Sequence, residues 1–196
     1  MRLNLLTALL LTFGTAGYAE VITYSNFGGW KIGVYTDDDD KPYGCLGYAK
    51  YERSDTGMWI GFEKAGDKEI VSFSLANSAW SSIETGKEYE LEVEFPKDDW
   101  TLSSTGTSVD DFNMVEVKNA LNEKSWEFIA DFRKSLRMKV SIQGNLIGNY
   151  TLKGTSGMIA QAWECYLEKV KPIGNDPFDA KPRNQNERNV SDPFDL

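Results

Sequence analysis

The sequence predicts a mainly β domain of the β-rich α+β kind, an antiparallel sandwich or partly open barrel carrying two helices. Three observations predict it. Apolar and polar residues alternate with a period of two in several short runs. Glycine-centred turns separate those runs at the spacing of hairpins. Helical spacing is confined to two segments in the second half of the chain.

The elements follow in order. Trp30, Ile32 and Val34 alternate with Lys31 and Gly33, the period of a half-buried strand. Tyr43 to Tyr51 holds Cys45 among glycines and aromatics. Met58, Ile60 and Phe62 form the next alternation, with Trp59 on the opposite face, and Ile70 to Leu75 follows. Tyr89, Leu91, Val93 and Phe95 alternate with four glutamates, giving one face to a core and one to water. Pro96 ends that strand because it has no N–H to give to the ladder. Asp55-Thr56-Gly57, Ala65-Gly66-Asp67 and Thr85-Gly86-Lys87 each supply a glycine for the positive φ of a tight turn.

Two segments depart from this period. Residues 119 to 135 place Leu121, Ser125, Phe128 and Phe132 on one helical stripe, widened by Trp126 and Ile129. Residues 154 to 170 place Met158, Ile159, Ala162, Trp163, Tyr166 and Leu167 on one broad face, with Thr155 or Ser156 as the cap. Between them, Leu136 to Ile142 and Leu146 to Leu152 read as a hairpin around Gln143-Gly144-Asn145.

The ends of the chain carry different signals. Arg2, the apolar run from Leu3 to Phe13 and the small residues up to Ala19 have the order of a secretory signal peptide, with cleavage expected after Ala19. The run is shorter than the roughly 20 residues that span a bilayer. The expected organisation is therefore a signal peptide over 1–19, a β-rich globular domain over 20–172 and an acidic, disordered tail over 173–196, poor in large apolar groups. The expected location is the periplasm or the exterior, with no transmembrane segment once the signal is removed. The tail repeats one motif, Asp176-Pro177-Phe178-Asp179 and Asp192-Pro193-Phe194-Asp195. Pro177, Phe178, Pro193 and Phe194 are the candidate partner-binding residues. Phenylalanine is an anchor, and proline lowers the ordering cost of binding an unknown protein partner.

Composition narrows the chemistry. Residues 1–19 contain Arg2 as their one charged side chain, so their removal takes the net charge from −9 to −10. An acidic chain without a basic cluster repels phosphate backbones, and nucleic acid is not an expected partner. The sequence has no histidine, which excludes Ser-His-Asp and Cys-His catalysis and imidazole metal sites. Carboxylate pairs remain the generic catalytic option, and no pair stands out. The run Asp37 to Asp40 precedes Lys41-Pro42, where an EF-hand loop needs an oxygen ligand and a glycine, so it reads as a solvated turn. No metal, cofactor or catalytic residue is assigned, and the reading favours a non-enzymatic module.

Two cysteines, Cys45 and Cys165, admit one pairing, and an exported chain meets oxidising conditions. The expected disulfide ties the C-terminal helix to an early strand. Of the six tryptophans, Trp30, Trp126 and Trp163 fall on apolar faces and read as core. Trp80 and Trp100 fall near strand ends and are the candidate ligand platform for a sugar ring or a protein.

The signal-peptide order, Gly29-Trp30, Cys45 and the closing stretch from Leu152-Lys153-Gly154-Thr155 to Cys165 resemble the invasion-associated locus B family of small exported alphaproteobacterial proteins. The resemblance covers residues 28 to 167 and implies a periplasmic or surface β-sandwich protein. The functional expectation is an exported envelope protein acting as a protein-interaction module. A cell-wall or glycan-binding module and a carboxylate-based hydrolase are the alternatives.

Overall fold

The computed structural model describes residues 21–109 and 112–171. The expected signal segment and the expected tail, with Pro177, Phe178, Pro193 and Phe194, lie outside the described residues. Among the described residues ten strands are present: β1 (Val21–Phe27), β2 (Trp30–Thr36), β3 (Pro42–Tyr51), β4 (Thr56–Ala65), β5 (Lys68–Asn77), β6 (Glu88–Glu94), β7 (Asp99–Val109), β8 (Phe112–Ala120), β9 (Arg137–Ile142) and β10 (Asn145–Thr151). Helix α1 (Glu123–Lys134) lies between β8 and β9, and helix α2 (Thr155–Cys165) follows β10 and runs into a π-helical turn, Tyr166–Val170.

The strands form one antiparallel sheet in the order β1-β2-β3-β4-β5-β8-β7-β6-β9-β10. Hairpins make most of the connections, as the glycine turns require. Gly66 takes positive φ, 62°, in the β4–β5 hairpin, whereas Gly86, φ 82°, lies in the connection from β5 to β6, which are not neighbours and form no hairpin. The third expected glycine turn differs. Asp55 carries the positive φ, 50°, and Gly57 lies within β4, paired with Lys50 and Ala76. A short polar side chain tolerates the left-handed region, so Asp55 frees the glycine for another use.

One face of the sheet holds the core. Cys45↔Phe62, Ile60↔Phe73 and Leu91↔Ile142 sit opposite one another across neighbouring strands, and all are buried. Both helices cover this face. Phe128 and Phe132 of α1 pack on Phe73 and Phe95 with ring centroids 5.7 to 6.5 Å apart. The sheet curls around the helices until β10 meets β3, where the Tyr51 hydroxyl donates to the Thr151 carbonyl at 2.7 Å and the Tyr51 and Tyr150 rings lie 4.9 Å apart. The Trp30 indole N–H donates to the Lys153 carbonyl at 3.2 Å, closing the same seam.

The disulfide is present. Cys45 of β3 and Cys165 at the end of α2 have Cα atoms 6.0 Å apart and lie 120 residues apart in sequence. The expected second helix is present from Thr155 to Val170 once its π-helical turn is counted, although Leu167 is 36 % exposed, while the first is shorter than the sequence predicts. α1 begins at Glu123 because Asn119 and Ala120 extend β8 and Asn122 caps the helix. Trp126 is 37 % exposed at the rim, a correction to its reading as core, although its ring lies 5.5 Å from Phe62 and 5.2 Å from Trp163.

Candidate functional site

Trp80 and Trp100 do not form a shared platform. Trp80 sits in the turn after β5, its backbone N–H donating to the Asn77 carbonyl at 3.3 Å. Trp100 sits at the opposite end of the sheet, paired with Val93. The Leu121 N–H donates to the Glu69 carbonyl at that opposite end, and eight residues of β5 separate Glu69 from Asn77, about 26 Å at ~3.3 Å per residue. The Trp100 indole N–H is already spent on Asp131 at 3.0 Å, and its ring stands edge-on to Phe128. Both tryptophans are half-buried against the core.

A group of half-buried aromatic rings lies elsewhere, on the outer face of β2, β3 and β4. Tyr48 and Trp59 are cross-strand partners with ring centroids 4.7 Å apart and planes inclined by 36°. Trp59 folds back over Gly57, where an added Cβ would stand 2.6 Å from the ring. Tyr35 lies beside Gly33 in the same way, 3.4 Å from the position of an added Cβ. Residues two apart on a strand share a face, so glycine two places before an aromatic leaves room for the ring to lie along the sheet.

A cleft flanks the tilted pair on each side. One, of about 230 Å³, runs between Tyr48 and Trp59, the Lys50 and Asp55 side chains, Met114 and Phe112. The other, of about 240 Å³, is lined by Tyr35, Gly33, Lys31, Thr23 and Val21 together with the same two rings. Val21 is 51 % and Phe112 41 % exposed, so the apolar surface extends past the clefts at both ends. Lys50 and Asp55 pair at 2.9 Å on the rim. The hydrogen bond and the opposite charge raise the Lys50 pKa and lower that of Asp55, so both stay charged. Burial pushes the Tyr35 hydroxyl up to about 12, and burial also raises Tyr48. The phenols therefore remain neutral hydroxyls at neutral pH.

No protein-family model, curated protein or solved structure matches this chain.

Two further groups of acids complete the site inventory. Asp37 turns its carboxylate inward, accepting from the backbone N–H groups of Asp39 and Lys41 at 3.0 and 2.9 Å, while Lys41 pairs with Asp39 at 3.0 Å. Glu63 is 4 % exposed on the outer face of β4. Burial raises its pKa, and Lys118 opposes this from 3.5 Å while also holding Glu116 at 3.0 Å. Each of five clefts on the described surface is lined by at most one carboxylate.

Sequence reasoning identified the bridge and placed Trp59 away from the core, but it did not identify Tyr35, Tyr48 and Trp59 as a surface. The available signal was the spacing Gly33-x-Tyr35 and Gly57-x-Trp59.

Proposed function

We propose that this chain is an exported, non-enzymatic binding module that takes a saccharide on the Tyr48–Trp59 platform. The observation that carries this reading is the Trp59 ring laid over Gly57 and tilted against Tyr48 between two clefts. A pyranose presents C–H groups on its faces and hydroxyls around its edge. Aromatic rings supply the apolar surface for the first, and polar groups at their margins serve the second. Here the Tyr35 and Tyr48 hydroxyls, Lys31, Lys50 and Asp55 provide those margins.

Export is supported by the signal-peptide order of the first 19 residues and by the Cys45–Cys165 bridge, since disulfides persist in oxidising compartments. Among the described residues no helix is long and apolar enough to cross a membrane. The resemblance to the invasion-associated locus B family agrees with a place in the periplasm or at the cell surface, where peptidoglycan fragments are a fitting ligand class.

The test is titration of the protein with soluble peptidoglycan fragments, followed by tryptophan fluorescence and by calorimetry. Saturable binding is expected, abolished by Trp59→Ala and retained by Trp100→Ala. Flat titrations, or equal loss in the two variants, overturn the reading.

A further inference from the structure

The β7–β8 hairpin is paired only near its turn. Its register runs from Val109↔Phe112 to Thr105↔Glu116. Beyond Thr105 the two strands part. β7 stays with β6 as far as Asp99↔Glu94, and β8 stays with β5 as far as Ala120↔Ile70. A cleft of about 410 Å³ opens between them. Its apolar lining includes Phe73, Leu102, Val117 and Phe128, with Trp100 beside them. Asn119, Asn122 and Lys124 contribute polar groups. Lys124 is the one charged side chain in that lining, in a chain of net charge −9.

A strand offers its N–H and C=O groups alternately to its two sides. Residues 101–104 and 117–120 each have a strand partner on one side and the cleft on the other. The cleft therefore suits an extended peptide with an apolar anchor and acidic neighbours, bound by strand addition.

The chain contains such a segment, and the point where it leaves the fold is close by. Lys171, the last described residue, pairs with Glu69 at 2.6 Å. The Glu69 carbonyl accepts the Leu121 N–H at 2.8 Å, and Leu121 stands between the cleft residues Ala120 and Asn122. Phe178 is seven residues beyond Lys171, an extended reach of up to about 24 Å. The width to be crossed is about two strand spacings, ~10 Å.

We propose that Asp176-Pro177-Phe178-Asp179 docks in this cleft in cis, with Phe178 on Phe73 and Phe128 and an aspartate beside Lys124. A short tether gives an effective concentration in the millimolar range, so a weak intrinsic affinity is enough to fill the cleft. Pro177 reduces the freedom lost on docking. The first copy of the motif then belongs to the fold, and the second copy, ending at Asp195, is free to take an outside partner.

The experiment is amide hydrogen exchange on the full chain, resolved for residues 101–104 and 117–120. Comparison is with Phe178→Ala and Phe194→Ala, both outside the described fold. Exchange in those two stretches is expected to rise several-fold in Phe178→Ala and to stay unchanged in Phe194→Ala. A synthetic peptide of residues 174–181, added at millimolar concentration to Phe178→Ala, should restore protection. Equal exchange in the wild type and Phe178→Ala overturns the proposal. Protection that depends on protein concentration also overturns it, because the occupant is then a second copy.

Discussion

Trp59 and Gly57 form one structural unit: the indole of the first occupies the space that a side chain on the second would need, 2.6 Å from the place of a Cβ. Gly57 is paired within β4, so that space, and not a turn, is what requires glycine here. Gly57→Ala must therefore lift the Trp59 ring. Crowding of this kind costs about 1–3 kcal/mol where the neighbour cannot yield freely. The expected result is a lower unfolding midpoint together with a changed near-ultraviolet circular dichroism signal from the Tyr48–Trp59 pair. Saccharide binding should weaken in the same variant, which calorimetry measures. A variant with unchanged spectrum and binding shows that the ring does not depend on its glycine.

The disulfide has a separable contribution. It closes a loop of 120 residues, and constraint of the unfolded chain by such a loop is worth about 4–5 kcal/mol in the loop-entropy account. Cys45 and Cys165 are both fully buried, so replacement of both by alanine also leaves a small void. Cys45→Ala with Cys165→Ala should fold to the same sheet with a melting temperature lower by roughly 10–15 °C. Thermal unfolding of the oxidised protein, the reduced protein and the double variant checks this. Near-identical midpoints for the oxidised and double-variant forms would remove the bridge from the stability of the fold.

Glu63 gives the protein a pH dependence of defined sign. Burial raises its carboxyl above the ordinary 4.5, with Lys118 and Ser72 acting against the shift. The folded state thus keeps this proton at a pH where the unfolded state has lost it. In the window from 4.5 upward to the folded value, the folded state binds more protons, and this group's contribution to stability falls as pH rises. Glu63→Gln removes the titration. Relative to the wild type, the variant should gain stability as pH rises above 4.5, measured by urea unfolding at each pH. The Lys118–Glu116 pair persists in both proteins, so a constant offset between the two curves does not mimic the effect.

The parts of this fold legible in the sequence are those where burial is one-sided. Tyr89, Leu91 and Val93 alternate with exposed or half-exposed glutamates, and β6 follows directly from that period. Strands β1, β7 and β8 escape the same reading for a physical reason. Thr101 to Thr107 is rich in small hydroxyl residues, which fit a pleat without declaring an inside, and Val21 and Ile22 are apolar yet half exposed. The disulfide was legible because two cysteines admit one pairing. The aromatic platform was not, because a tryptophan opposite a core face carries no statement about how its ring lies. That posture depends on the glycine two residues before it and on a partner ring from the adjacent strand, which only the register reveals. The tail residues Pro177, Phe178, Pro193 and Phe194 carry a motif but no local period, so periodicity says nothing of what they contact.

The start of α1 offers the last test, because it separates helix capping from cleft formation. Asn122 accepts the Ser125 N–H at 3.1 Å, and the Ser125 hydroxyl accepts the Asn122 N–H at 2.8 Å. This reciprocal box satisfies two N–H groups that the first turn would otherwise leave without partners. The Ser125 hydroxyl also donates to the Ala120 carbonyl at 2.8 Å, which fastens the helix to the end of β8. Asn122→Ala removes one half of the box and should cost about 1 kcal/mol, whereas Asn122→Asp keeps the acceptor and adds a charge favourable at a helix N-terminus. Ser125→Ala removes the other half of the box and also the link to β8, from a buried position, so it should cost more than Asn122→Ala. Chemical unfolding of the three variants gives the order. If Ser125→Ala costs no more than Asn122→Ala, the link to Ala120 adds nothing, and the divergence of β8 from β7 must be maintained by the packing of Phe128 on Phe73 alone.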